Sequence, residues 1–224
     1  MEQPTSASLR ADARRNREQI IDAARTMFLR MGVDVPMDEI ARAAGVGIGT
    51  LYRRFPDRAE LIKAVSRDSL HEMAEVARGL ERDEPDPTVA LRDLLRTFRD
   101  RYLVIVMTAV SAHAFETLKD TPAVIEDRDE LLVVVGRLLR RCQEQGTVRP
   151  DVAPGDLILA VAAISRLIPA PGDELGAMVF DRLFALVMDA FRVGSPAALP
   201  GRPVDYPDVT QLRQHGGLAG FGRA

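Results

Sequence analysis

The chain has few residues of the kinds on which metal and redox chemistry depend. Its 224 residues include no tryptophan, three histidines and one cysteine, Cys142. A single cysteine cannot form an internal disulfide, which favours a reducing compartment. So few histidine and cysteine side chains argue against a structural zinc site. Aromatic residues make up only 5% of the chain, which argues against a nucleic-acid binder that stacks bases.

Membrane, secretory and catalytic signals are also missing. No run of about 18 apolar residues occurs, so we expect no membrane span. The first twelve residues are polar and lack the apolar segment of a secretory signal. The motifs G-x-S-x-G and H-E-x-x-H and the phosphate-binding P-loop are absent. We therefore expect a cytoplasmic protein that is not an enzyme and holds no cofactor and no metal.

Positive charge is concentrated near the N-terminus, although the formal net charge of the chain is -3. Residues 10–58 contain ten arginines and seven acids, an excess of three positive charges. An acidic chain can bind DNA when its cations lie on one face, so this segment permits DNA binding. The low net charge argues against sequence-neutral packaging of DNA.

Apolar residues recur with helical spacing along most of the chain, and no segment alternates as a strand does. Near the N-terminus they are Ile20, Ile21, Ala24, Phe28 and Met31, then Met37, Ile40, Ala41 and Ala44. Asp57 is in position to cap a fourth helix. The next predicted helix runs from Val89, capped by Thr88, to about His113, and another begins at Pro122. Three more helices are predicted from about Asp127 to Gly146, from Ala153 to Ile168 and from Asp173 to Arg192. The fold class is therefore all-α.

The segment Met37 to Phe55 reads MDEIARAAGVGIGTLYRRF. Its small residues Ala41 and Ala44 allow a second helix to cross closely, Gly45 provides a tight turn, and Val46 fills the gap. This pattern predicts a helix-turn-helix, whose second helix enters the major groove of DNA.

The same region resembles the TetR/AcrR family of bacterial regulators. The resemblance is carried by Ala23, Phe28, Gly32, Ile40-Ala41, Ala44-Gly45-Val46, Gly49-Thr50-Leu51-Tyr52-Arg53-Arg54-Phe55, Arg58 and Leu61. It implies a homodimer with an N-terminal three-helix DNA-binding domain and a C-terminal helical bundle for ligand binding and dimerisation.

The family resemblance and the composition together divide the chain into four predicted parts. They are a flexible N-terminal arm (1–13), the helix-turn-helix domain (14–60), the effector-binding and dimerisation domain (61–193) and a C-terminal tail (194–224). Glycine and proline fill ten of the last 31 residues, which favours a flexible tail. Leu212, Leu218 and Phe221 are candidates to latch it onto the body.

By the resemblance, the DNA-binding residues are Gly47, Ile48, Gly49, Thr50, Tyr52, Arg53, Arg54 and Arg58. Thr50 would reach a phosphate or a base edge, and Tyr52 would donate its hydroxyl to a phosphate. Arg53 and Arg54 would contact the backbone or guanine edges, and Arg58 would meet a phosphate. The candidates for the flanking backbone or minor groove are Arg14, Arg15 and Arg17.

The sequence departs from the family pattern at the start of both motif helices. Pro36 stands where the family usually has a capping Thr or Ser, so a phosphate-binding hydroxyl is missing. Gly47 and Ile48 stand where the family often has Ser-Lys. Ile48 is expected to contact a thymine methyl. Gly47 and Gly49 are both predicted to lie inside the recognition helix. Each glycine inside a helix costs about 1 kcal/mol of stability relative to alanine.

In the C-terminal bundle, the candidate effector-binding residues are Phe98, Arg101, Tyr102, His113, Leu138 and Cys142. Their apolar bodies and few polar groups fit an amphipathic or aromatic small molecule. They also fit a dry core, which is the favoured interpretation of each residue alone. Cys142 in particular is predicted to be a small buried hydrophobe.

The last two long helices carry Leu157, Val161, Ile164, Leu167, Met178, Leu183, Leu186, Val187 and Phe191. The resemblance implies that these helices pair across a two-fold axis, while their spacing alone fits an internal pair equally well. A symmetric homodimer would match a near-palindromic double-stranded operator.

The sequence thus predicts a sequence-specific transcriptional regulator, specifically a repressor that a small-molecule effector releases from its operator. The alternative is a small-molecule-binding helical protein with a weakened or vestigial DNA-binding module. Gly47-Ile48-Gly49 is the only support for that alternative.

Overall fold

A computed structural model of the chain describes residues 6–101, 112–166, 174–194 and 197–214. Within these ranges the chain is helical and contains no strand, which confirms the predicted all-α class. The helices are α1 (Ser6–Met31), α2 (Met37–Ala43), α3 (Ile48–Arg54), α4 (Arg58–Asp83), α5 (Pro87–Arg101), α6 (Ala112–Leu118), α7 (Pro122–Glu144), α8 (Pro154–Arg166), α9 (Glu174–Ala190) and α10 (Tyr206–Gln214). None of these helices is long and apolar enough to cross a bilayer.

The N-terminal helices enclose a small apolar core. Phe28 of α1, Ile40 of α2 and Leu51 of α3 are fully buried in it. Burial of side chains of this size contributes about 1.5–3 kcal/mol each. The same core includes Val65 of α4, so it extends past the predicted domain boundary at residue 60. Helix α1 begins at Ser6, inside the segment 1–13 that the sequence predicts to be an arm.

Helix α4 joins the two parts of the molecule, because its first turns lie in the N-terminal core and its later turns in the bundle core. Three charge pairs tie it to α7: Arg67 with Asp127, Arg78 with Glu130, and Glu81 with Arg137. Arg137 donates from Nε and Nη2 to the two carboxylate oxygens of Glu81, each at 2.6 Å. This pairing lowers the pKa of Glu81 below its ordinary value. Asp127 and Glu130 therefore hold α7 against α4.

Two helix starts differ from the prediction. Asp86 caps α5, since its Oδ1 accepts from the N–H of Thr88 at 2.8 Å. The Thr88 hydroxyl, predicted to be the cap, pairs with the hydroxyl of Thr147 at 2.8 Å instead. Helix α7 is one helix from Pro122 onward, where the sequence predicts two. Proline fits the first turn of a helix, and no glycine or proline follows it before Gly136 to end the helix.

The segment after α9 packs on the body of the protein, where composition predicts a flexible tail. Residues 197–214 include α10, which lies against α8. Val209 on α10 is fully buried and provides the apolar anchor. Leu212, a predicted latch, is exposed, and Leu218 and Phe221 lie outside the described residues.

Candidate nucleic-acid interface

The turn between α2 and α3 is fixed by backbone geometry. Gly45 has φ of 67°, in the left-handed region that favours glycine. The N–H of Val46 donates to the carbonyl oxygen of Ala41 at 3.0 Å, and that of Gly45 donates to Arg42 at 3.1 Å. These two bonds close α2 with a Schellman-type cap. At the other end of α2, Pro36 occupies the N-cap and makes no side-chain cap bond.

Helix α3 is anchored through one face, with Leu51 fully buried and Phe55 almost so. Gly47 is its N-cap residue, with ψ of 145°, so only Gly49 lies within the helix. The loss of helix stability that the sequence predicts for two glycines therefore applies to Gly49 alone. A Cβ at Gly47 or Gly49 would meet nothing within 4 Å, so the surface around the start of α3 is open.

The opposite face of α3 is exposed and carries polar and apolar groups together. Ile48 is 43% exposed and Tyr52 is 47% exposed, and Arg53 and Arg54 are exposed beside them. Arg53 donates from Nη2 to Oγ1 of Thr50 at 3.0 Å, which holds its guanidinium along the helix. Guanidinium, hydroxyl and aliphatic groups on one helix face are the groups that read base edges and thymine methyls in the major groove.

Arg58 points away from this face. Its Nη1 donates to the carbonyl oxygens of Val33 at 2.6 Å and Val35 at 2.5 Å. These carbonyls belong to the loop between α1 and α2, which the half-buried guanidinium holds in place. Nη1 of Arg58 is therefore bonded inside the domain, and the phosphate contact predicted for Arg58, which would have to use Nε or Nη2, stays a prediction.

Helix α1 brings further cations beside α3. The guanidinium carbon of Arg17 lies 5.7 Å from the centroid of the Phe55 ring, a cation–π distance. Because Phe55 is the C-cap residue of α3, this contact places Arg17 at the C-terminal end of that helix. The rest of the Arg17 side chain is exposed to solvent. Arg14 and Arg15 are exposed one turn earlier, and Arg14 approaches Glu18 at 3.8 Å.

Sequence reasoning missed Arg25, which ties the DNA-binding unit to α4. Its Nη2 lies 2.5 Å from Oδ2 of Asp68 and 3.6 Å from Oε1 of Glu72, and its side chain is mostly buried. The available signal was its register, since Arg25 lies four residues after Ile21 and three before Phe28, on the buried face. A cation in that register requires a partner on the helix it faces.

Of the predicted effector-binding residues, only Leu138 and Cys142 have described side chains. Both are fully buried in the bundle core, and burial raises the pKa of the Cys142 thiol, although the nearby hydroxyls of Thr88 and Thr147 act in the opposite direction. Cys142 is thus the buried residue that the sequence predicts. The side chains of Phe98, Arg101 and His113 and all of Tyr102 lie outside the described part.

Of the last two long helices, α9 presents an apolar stripe to solvent, formed by Leu175, Met178 and Leu186. On α9, Leu175 is 63% exposed and Leu186 is 65% exposed, and Met178 lies between them. The predicted α8 contacts Leu157, Val161 and Ile164 are instead buried in the core of the same chain. Leu167 lies outside the described residues. The exposed stripe therefore belongs to α9, while α8 faces inward at these positions.

Two family models match the chain. One, described as bacterial regulatory proteins of the tetR family, matches residues 20–65. The other, described as the C-terminal domain of SbtR-like transcriptional regulators, matches residues 86–193. The first segment contains the helix-turn-helix, and the second contains most of the bundle.

Solved structures support the same assignment. A TetR transcription regulatory protein from Mycobacterium vanbaalenii is 30% identical, with 83% of this chain and 99% of that chain covered at a TM-score of 0.56. The TetR transcriptional regulator SCO0520 from Streptomyces coelicolor is 29% identical, with 80% and 99% covered at a TM-score of 0.56. Fold and site together define a helix-turn-helix transcriptional regulator. The chain belongs to the TetR family of bacterial regulatory proteins.

Curated relatives match over a shorter stretch. The HTH-type transcriptional regulator TtgR of Pseudomonas putida is 42% identical over 87 residues, which are 38% of this chain and 41% of that protein. A probable regulator of Pseudomonas putida, ArpR, matches over the same shares. The match thus spans less than half the length of these relatives.

Proposed function

We propose that this chain is a cytoplasmic repressor that binds a near-palindromic DNA operator as a homodimer and leaves it when a small molecule binds the C-terminal bundle. The exposed face of α3 carries the proposal. Ile48, Thr50, Tyr52, Arg53 and Arg54 lie together on a helix whose other face is locked into the core. Catalysis has no part in this proposal.

Sequence readout is assigned to the arginines and Ile48. Arg53 is braced by Thr50, so less side-chain freedom is lost when it meets a base. Ile48 lies at the first position of α3 and offers an aliphatic group to a thymine methyl. Arg17 and the hydroxyl of Tyr52 are assigned to phosphates, which set register without reading sequence.

Dimerisation is assigned to the stripe on α9. The stripe includes Leu175, Met178 and Leu186, and its exposed neighbours Arg182 and Asp189 lie seven residues apart on the same helix. A two-fold interface places one patch against its own copy, so one cation and one anion on the patch can pair across the axis. Exposed apolar patches of this kind mark protein contacts.

Leu186→Glu is expected to raise the dimer dissociation constant by about 100-fold or more, because the axis places a charge in the interface from each copy. Analytical ultracentrifugation over a concentration series measures this. Val133→Glu is the matched control, since Val133 on α7 is 55% exposed and lies outside the stripe. Equal dissociation constants for the two variants would remove α9 from the interface.

Effector release follows if a ligand favours a dimer with a different spacing of the two α3 helices. The test begins with a thermal-shift screen of amphipathic aromatic molecules against the full chain. Molecules that stabilise it are then added to the protein–operator complex. We expect operator affinity to fall as the ligand saturates. Unchanged affinity at saturation for every stabilising molecule would leave a DNA-binding protein without this switch.

A further inference from the structure

The C-terminal strap, residues 197–214, is held to the body by polar contacts at three points. Arg149 donates from Nη2 to the carbonyl oxygen of Ala197 at 2.7 Å. The N–H of Leu199 donates to Oδ2 of Asp151 at 2.9 Å, and the N–H of Val204 donates to Oδ2 of Asp156 at 3.1 Å. The pairing partners are each 48 residues apart in sequence, so the strap is placed by tertiary contacts.

Arg149 and Asp151, which bind the start of the strap, also bind each other. Arg149 is 8% exposed and also donates to both carboxylate oxygens of Asp151, at 2.5 and 2.8 Å. Donation from Arg149 and from the N–H of Leu199 lowers the pKa of Asp151 to about 2. Asp151 is therefore an anion throughout the neutral range, and its bonds to the strap persist there.

The strap also requires the glycine at the start of α8. A Cβ built on Gly155 would lie 2.2 Å from the carbonyl oxygen of Val204, so only glycine permits this close approach of two backbones. Val209 on α10 is then buried completely. The close backbone approach at Gly155 and the burial of Val209 therefore both hold the strap against α8.

The strap leaves two large apolar side chains, Leu199 and Leu212, exposed on its outer face. Among the described residues, ten large apolar side chains are exposed, and six of them lie between residues 175 and 212: Leu175, Met178, Leu186, Val193, Leu199 and Leu212. Three of the six belong to the α9 stripe, and Leu199 and Leu212 belong to the strap. An open cleft of about 440 Å³ lies beside Leu212, lined also by Arg202, Val204, Asp208 and Gln211.

We propose that the strap is part of the dimer interface and that its outer face, with Leu212 and this cleft, receives the second copy of the chain. This inference rests on the proposed dimer. The strap begins a few residues after α9, whose exposed stripe is assigned to that dimer, and it lies on α8, which packs against α9. The strap is therefore assigned to the same interface as the stripe. A cleft beside an exposed leucine is the arrangement in which an interface buries its anchoring side chains.

Gly155→Ala and Leu212→Glu test this on the full chain. Gly155→Ala forces the strap off α8, which amide hydrogen exchange reports as lost protection of residues 197–214. Leu212→Glu leaves the strap docked and changes only its outer face. Gly79→Ala on α4 is the matched control, because a Cβ there meets nothing within 4 Å. Ultracentrifugation then gives the dimer dissociation constant of each variant.

Both test variants are expected to raise the dissociation constant by about tenfold or more, and Gly79→Ala is expected to leave it unchanged. A wild-type dimer that Leu212→Glu leaves intact would overturn the inference while the α9 dimer stands. A dimer that becomes tighter in Gly155→Ala would also overturn it, since the strap would then mask the interface. A wild-type chain that is monomeric at every concentration would refute the proposed dimer itself.

Discussion

Arg54→Ala is expected to weaken operator binding by about 30-fold or more without changing the melting temperature. A bidentate arginine contact discriminates a base by about 1–3 kcal/mol, and a homodimer forfeits that contact at both half-sites. Arg54 is exposed on α3, and its side chain forms no hydrogen bond or ion pair within the part of the chain that the structure describes. Its removal therefore leaves the folded chain otherwise intact.

Fluorescence anisotropy with a labelled operator at several salt concentrations measures this effect and identifies the contact. If Arg54 reads a base, affinity falls while the salt dependence is retained and specificity relaxes at one position of each half-site. If it binds a phosphate, the slope of log affinity against log salt falls by about one for each phosphate that is no longer neutralised. Arg140→Ala is the matched control, because Arg140 is an exposed arginine on α7. Equal affinities for the two variants would remove Arg54 from the interface.

Arg58→Ala is expected to destabilise the fold by about 3 kcal/mol, because hydrogen bonds to charged groups contribute about 1.5–3 kcal/mol each. The half-exposed position of Arg58 places its two bonds at the low end of this range. The variant loses both bonds from Nη1 to the carbonyl oxygens of Val33 and Val35. These residues are buried, so their carbonyls lose a partner that water replaces poorly. The loop between α1 and α2 then keeps only its apolar contacts with the core that α4 shares.

Urea unfolding of Arg58→Ala and Arg54→Ala side by side separates the two roles. We expect Arg58→Ala to lower the free energy of unfolding and Arg54→Ala to leave it unchanged. Operator binding, measured well below the melting temperature, should show the reverse order of effects. Arg58→Ala with wild-type stability and a reduced salt slope would instead support the phosphate contact that the family resemblance implies.

Local signals made the helix-turn-helix predictable. The register of Ile40, Leu51 and Phe55 depends on helical period alone, and Gly45 is required by the turn itself. Asp57, the predicted cap of α4, accepts from the N–H of Glu60 at 2.9 Å as expected. Such features depend on residues a few positions apart, which a sequence displays directly.

The features that sequence reasoning missed depend on residues distant along the chain. The direction of Arg58 is decided by two carbonyls more than twenty residues earlier. The strap has the composition of a flexible tail, yet Arg149 and Asp151 hold it in place. The inward face of α8 could not be distinguished from a dimer face, because both have the same apolar period.

The central claim is sequence-specific DNA binding by the face of α3, and selection from a random pool of DNA tests it most directly. The wild-type chain is expected to enrich two inverted half-sites whose centres lie about one or more helical turns of DNA apart. Arg54→Ala is expected to reduce that enrichment. If wild-type protein enriched no sequence over competitor DNA, α3 would not be a reader of sequence. The chain would then be better described as a small-molecule-binding helical protein with a vestigial DNA-binding module.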